Sequence, residues 1–268
     1  MKRRVKGPKH REEWAKYKDK YEDKLQELFT NRNYSKPIIY SVDAEDVKEV
    51  SNQLLNLNSK FMWVNLGVRS SEVKPEVNVF VLYLTFGDTY VDPTEEVQGI
   101  EIESDVTIDP STKELDEKNL AEAIDKVIPG LGSEIISNER AVLEVQKWLD
   151  DEIKLCKFQT KDENKDWVLR YTFDPVQNLV EEGYTLNSII KYLKNINTVS
   201  IKLAYVDYST DPDKQNWPEF TMVLYHKSTE PLIKEVDNGK GLSITEKKYG
   251  FNENVAKPCP PICSEKSD

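Results

Sequence analysis

Apolar positions in this chain switch between helical and strand spacing, and the order of the switches occurs twice. Trp14, Tyr17, Tyr21, Leu25 and Leu28 recur every three or four residues, which lines one face of a helix. Asn31-Arg32-Asn33 and Pro37 end it. Ile38 to Val42 follows as a short strand of β-formers. Asp43 stands where an N-cap belongs, ahead of a second helix over Val47, Val50, Leu54 and Leu57. Phe61 to Val68 and Asn78 to Phe86 are two strands around a polar link that contains Pro75. The near-continuous apolar run of the second predicts burial on both faces. Gly99 to Ile108 alternates apolar and acidic residues, as an edge strand with one wet face does.

The second pass has the same order. Val142, Val145, Leu149 and Ile153 mark a helix capped by Ser137. Trp167 to Phe173 is the short strand. Asp174 caps the next helix, with Pro175 in its first turn and Gln177 where a capping box places it. Gly183 and Thr185 break that helix in two, and the second piece ends near Leu193. Val199 to Tyr205, Phe220 to Tyr225 and Gly241 to Ile244 are the closing strands.

Val81-Leu82-Tyr83 recurs as Val223-Leu224-Tyr225, and Gly99-Ile100-Glu101-Ile102 as Gly241-Leu242-Ser243-Ile244, both 142 positions on. Tyr40 to Asp43 is echoed by Tyr171 to Asp174 at 131, and Leu66 by Leu203 at 137. The expected fold class is therefore α+β, with two related α-β-α-β-β-β halves from an internal duplication. The sheets are expected to be mainly antiparallel, with helices on one face. The divisions are a basic, frayed N-terminus over 1–11, a first repeat over 12–110 and a linking helix over 111–136. A second repeat over 137–250 and a flexible Pro- and Cys-containing tail over 251–268 complete them.

Charge changes this picture more than composition does. The 268 residues carry a net charge of −11, yet residues 1–11 hold six cations and no acid, which leaves −17 on the remainder. A body that acidic repels phosphate backbones, so nucleic-acid binding over it is disfavoured. No run of about 18 apolar residues is present to span a membrane. The N-terminus has a basic start without the apolar region of a secretory signal. Three cysteines, Cys156, Cys259 and Cys263, are too few for a disulfide framework and point to a reducing, cytoplasmic setting.

Candidate chemistry is thin. With His10 and His226 as its histidines, the chain has little freedom to build a Ser-His-Asp or Cys-His array. Cys156 reads as a small core residue on a helix. Cys259 and Cys263 have a spacing that zinc accepts, but a structural site needs four ligands, so they stay weak metal candidates beside the readings of a flexible tail or a docking segment. No glycine-rich phosphate loop occurs, and no cofactor is implied. Asp43 and Asp174, in equivalent places, read as helix caps rather than as paired acids.

The loop that holds Asp207, Tyr208, Asp211, Asp213 and Trp217 mixes acids with aromatics, as recognition surfaces do. The expected function is a non-catalytic intracellular binding protein, of the inhibitor or immunity type, whose acidic surface engages a basic protein. An enzyme with a carboxylate-based, divalent-metal-dependent site between the halves is the alternative. A structural subunit of a larger assembly is the second.

Overall fold

The computed structural model describes residues 5–6, 11–16, 25–29, 36–56, 61–70, 78–87, 98–102, 104–108, 136–207, 209, 215–237, 243–254 and 257–259. Runs of β-branched and aromatic residues form strands, and runs spaced by three and four form helices. In chain order these are β1 (Val5–Lys6), α1 (Leu25–Phe29), β2 (Lys36–Ser41), α2 (Ala44–Leu54), β3 (Phe61–Ser70), β4 (Asn78–Gly87), β5 (Gln98–Ile102) and β6 (Ser104–Ile108). There follow α3 (Asn138–Asp150), β7 (Arg170–Phe173), α4 (Pro175–Glu181), α5 (Leu186–Lys194), β8 (Ile196–Tyr205), β9 (Phe220–Asp237), β10 (Ser243–Glu253) and β11 (Lys257–Cys259). Residues 11–16 are also helical.

The caps work as their chemistry dictates. Ser137 Oγ accepts from the Arg140 N–H, and the Asp174 carboxylate accepts from the Gln177 N–H with Pro175 in the first turn. Gly183, at φ +87°, supplies the left-handed residue that separates α4 from α5. Asp43 occupies the cap position of α2 but its side chain makes no capping bond. Its carbonyl oxygen instead accepts from the Asp46 and Val47 N–H groups.

The protein is a mixed α+β fold, and its described residues form two antiparallel sheets. The first has the order β1-β5-β4-β3-β7-β11 and the second β10-β9-β8-β2-β6. Each sheet takes its hairpin from one segment of the chain and a short strand from the other. Thus β7 enters the first sheet beside β3, with Tyr171 opposite Val64. In the second, β2 enters beside β8, with Tyr40 opposite Ile201. The order outward from each inserted strand is also the same. Tyr83 on β4 lies between β3 and β5, and Tyr225 on β9 lies between β8 and β10.

Several expectations change. Gly99 to Ile108 is not one edge strand: its two parts, β5 and β6, belong to different sheets. Ser243–Ile244 does not occupy the place of Glu101–Ile102, because Ser243 pairs with Asp237, far along β9 from Tyr225; Gly241 and Leu242 lie outside the described residues. The residue that matches Gly99 in position is Gly250. A Cβ on Gly99 would meet Leu84 O at 3.0 Å beside Tyr83, and one on Gly250 would meet Tyr225 Oη at 2.9 Å beside His226. Within the basic head, Val5–Lys6 pairs with Gln98 and Gly99. Within 251–268, Lys257–Cys259 pairs with β7. The linking helix lies outside the described residues, apart from Ile136, which forms an isolated bridge to Asn252.

One hydrophobic cluster spans both sheets. Phe80 of β4 meets Phe29 at 4.5 Å, Phe29 stacks on Phe158 at 5.3 Å, and Phe158 meets Phe220 of β9 at 4.4 Å. Such pairs add about 0.5–1.5 kcal/mol each beyond area burial. Tyr171 Oη donates to Phe220 O, joining β7 to the opposite sheet. Lys36 at the start of β2 donates to Trp148 O (2.8 Å), Leu149 O (2.9 Å) and Asp151 O. These are carbonyls at the α3 C-terminus, where a cation is favoured. Trp148 Nε1 returns a bond to Pro37 O at 2.8 Å.

Because neither segment completes a sheet alone, residues 1–135 and 136–268 expressed apart should each fail to give a folded monomer. Co-expressed, they should recover one 1:1 complex with the circular dichroism of the whole chain. Size exclusion and far-UV spectra check this, and a stable folded monomer of either piece would contradict the exchange.

Candidate functional site

The aromatic and acidic loop leaves β8 and returns into β9. Val206 N–H donates to Glu219 O at 2.8 Å and closes its base. Asp207 is exposed and accepts from the Ser209 N–H at 2.9 Å, a bond that lowers its pKa, with Lys161 adding to the effect. Trp217 is only 7% exposed and packs on Val206 as a small cluster apart from the main core. Its ring anchors the loop rather than offering contact surface. Tyr208, Asp211 and Asp213 lie outside the described residues. So does Cys263, together with the side chain of Cys259, whose backbone pairs with Arg170.

Tertiary structure lays a second acidic turn beside this loop. Gln159 bridges to Trp167, and Asp162 Oδ1 holds the intervening turn by accepting from Thr160 Oγ1, Asn164 N–H and Lys165 N–H. Lys165 at φ 49° completes the reversal. Lys161 N–H donates to Asn216 O at 2.9 Å, tying the two loops together. Its ammonium reaches Glu219 Oε1 at 3.2 Å and Asp207 Oδ1 at 3.6 Å. Lys157, on a single 3₁₀ turn over Leu155–Phe158, donates to Glu219 Oε2 at 2.7 Å and Asp151 Oδ2 at 2.9 Å. It also sits 4.9 Å from the centre of the Tyr205 ring. Burial pushes the Lys157 pKa down, but the bonds to Glu219 and Asp151 outweigh it and leave the pKa raised. Burial acts upward on Glu219, yet Lys157 and Lys161 hold its carboxyl below the usual range. Reading the sequence alone missed Lys157, Glu219 and Tyr205. In a chain with 32% charged residues no local pattern marks them. Cys156 is exposed on the same 3₁₀ turn, not a core residue on a helix.

A second polar group was also invisible in the sequence, because the expected tail begins at 251. Asn252, Glu253 and Asn254 end β10 and its exit, all buried. Glu253, at 0% exposure, accepts from Asn178 Nδ2 of α4 at 3.0 Å and lies 3.0 Å from His226 Nε2. His226 in turn meets Tyr192 Oη of α5 through Nδ1 at 3.3 Å. Asn254 bonds to Glu144 of α3 and to Thr221 Oγ1. Asn252 Oδ1 lies 3.5 Å from Lys202 Nζ. Consecutive residues thus fasten three helices and two strands at one corner, where buried polar groups must find partners. Closed off from water in this way, the Tyr-His-Glu array acts as a fastening.

Asp43 and Asp174 stay apart from both groups, at their helix starts. Among the described residues no set of three or more His, Cys, Asp or Glu is arranged to hold a metal ion. No described helix is long and apolar enough to cross a membrane. No family model, curated protein or solved structure matches the chain.

Lys202 gives the corner a pH dependence. It is wholly buried beneath the Tyr225 ring, 5.3 Å from its centre, and loss of solvation lowers its pKa to about 7. Between that value and the ordinary lysine range, the unfolded chain holds a proton that the folded chain has released. Stability should therefore rise with pH across this window, by up to about 1.4 kcal/mol per pH unit. Lys202→Met should flatten this rise and stabilise the protein most below pH ~7. Urea melts of both proteins at several pH values check it, and an unchanged slope in the variant would refute the assignment.

Proposed function

We propose that this chain is a non-catalytic binding protein that takes a basic protein partner on its acidic surface, in the manner of inhibitors and immunity-type proteins. The observation that carries the reading is the pair of loops joined by the Lys161–Asn216 backbone bond. They set Asp162, Glu163, Asp166, Asp207 and Glu219 around one anchored edge, on a body that bears −17 once the basic head is set aside. A field of that sign raises the encounter rate with cationic partners and repels nucleic acid. The three-cysteine content supports a cytoplasmic setting for that encounter. The shared strand order of the two sheets supports an origin of the halves by duplication.

Used as bait, the full chain should retain a basic protein that elutes as salt rises, because exposed charges are screened within about 8 Å at physiological ionic strength. Reversing charge on the loops with Asp207→Lys and Glu219→Lys should abolish the capture. A captured complex indifferent to salt and to both substitutions would sink the reading.

A further inference from the structure

The Lys157 ammonium sits in a cage built for a cation. Asp151 Oδ2 and Glu219 Oε2 accept from it at 2.9 and 2.7 Å, and the face of Tyr205 lies beneath it. Two carboxylates and an aromatic face are what an ammonium or guanidinium group seeks once partly removed from water. The residue beneath gives a second, independent indication. Tyr205 is 2% exposed, its hydroxyl has no hydrogen-bond partner among the described residues, and it lies within electrostatic reach of Asp151 and Glu219. A buried hydroxyl left unpaired is costly, so the arrangement is incomplete with Lys157 as occupant. A longer or differently angled cation could use the carboxylates and the hydroxyl together.

The cage also stands at the edge of the two-loop surface. Glu219 offers its other oxygen to Lys161, which reaches Asp207. Lys157 itself is carried on a one-turn segment beside exposed Cys156, and not on a long helix. Swinging it out would leave β8, β9 and α3 in place.

We propose that Asp151, Glu219 and Tyr205 form a receptor for a lysine or arginine side chain of the basic partner, and that Lys157 is a resident substitute which the partner displaces. This rests on the binding reading above and adds the residues and the chemistry of the contact. Binding at the cage exchanges one ion pair for another, so displacing Lys157 costs affinity and the tyrosine hydroxyl supplies specificity.

The test titrates an N-acetylated hexalysine peptide into the full chain by calorimetry at about 0.15 M salt. Lys157→Met should tighten binding about ten-fold, since it frees Asp151 Oδ2 and Glu219 Oε2 and removes the competitor. Glu219→Gln or Tyr205→Phe placed on that variant should cancel the gain. Lys154→Met is the control: it makes the same charge change at an exposed neighbour whose ammonium pairs with Glu152 instead. Equal tightening by Lys154→Met and Lys157→Met would overturn the cage while leaving the acidic-surface reading intact. So would a gain that survives Tyr205→Phe and Glu219→Gln. No binding of hexalysine by any variant, even at low salt, would overturn both.

Discussion

The fold depends on two short strands, β2 and β7, each inserted into a sheet whose hairpin comes from a distant part of the chain. A six-residue and a four-residue strand hold little on their own, because isolated strand pairs are marginal in water. Inserted between a hairpin and an outer strand, each gains ladders on both sides and two packed faces. The surrounding chemistry secures the insertion. Lys36 pins β2 to the end of α3, Trp148 returns a bond to Pro37, and Tyr171 ties β7 across to β9. The Phe80–Phe29–Phe158–Phe220 chain then makes one core of what would otherwise be two.

That constraint explains where polar groups are buried. The register of β8 with β9 and β10 puts Lys202, Tyr225 and Asn252 together on one face of the second sheet, and His226 and Glu253 on the other. Both faces are covered, so these groups satisfy one another. The result is a corner whose bonds run among α3, α4, α5, β8, β9 and β10, in which a misplaced strand would leave charges unpaired. Buried polar pairing of this kind favours one register over its two-residue slips, which would keep the apolar pattern intact.

On the outside, the same packing brings together loops distant in sequence. Asp151 follows α3, Lys157 rides a single turn, the Asp162 turn precedes β7, and Glu219 precedes β9. None of them is informative alone in so charged a chain. Assembled, they give the surface an ordered set of ion pairs over Tyr205, while Trp217 spends its ring on holding the loop to Val206.

Periodicity and capping chemistry determined the elements. The strands over Phe61, Asn78, Val199 and Phe220, the Ser137 and Asp174 caps, and the helix break at Gly183 follow from neighbours a few residues apart, and local sequence carries that information. Tertiary structure alone decided which strands pair, since a ladder joins residues far apart and its choice depends on what covers both faces. It sent β5 and β6 to different sheets, set Gly250 against Tyr225 as Gly99 is set against Tyr83, and drew Glu253 out of an expected tail into the corner. It also chose, among 48 acidic residues, the two that enclose Lys157, because proximity across loops leaves no trace in spacing along the chain.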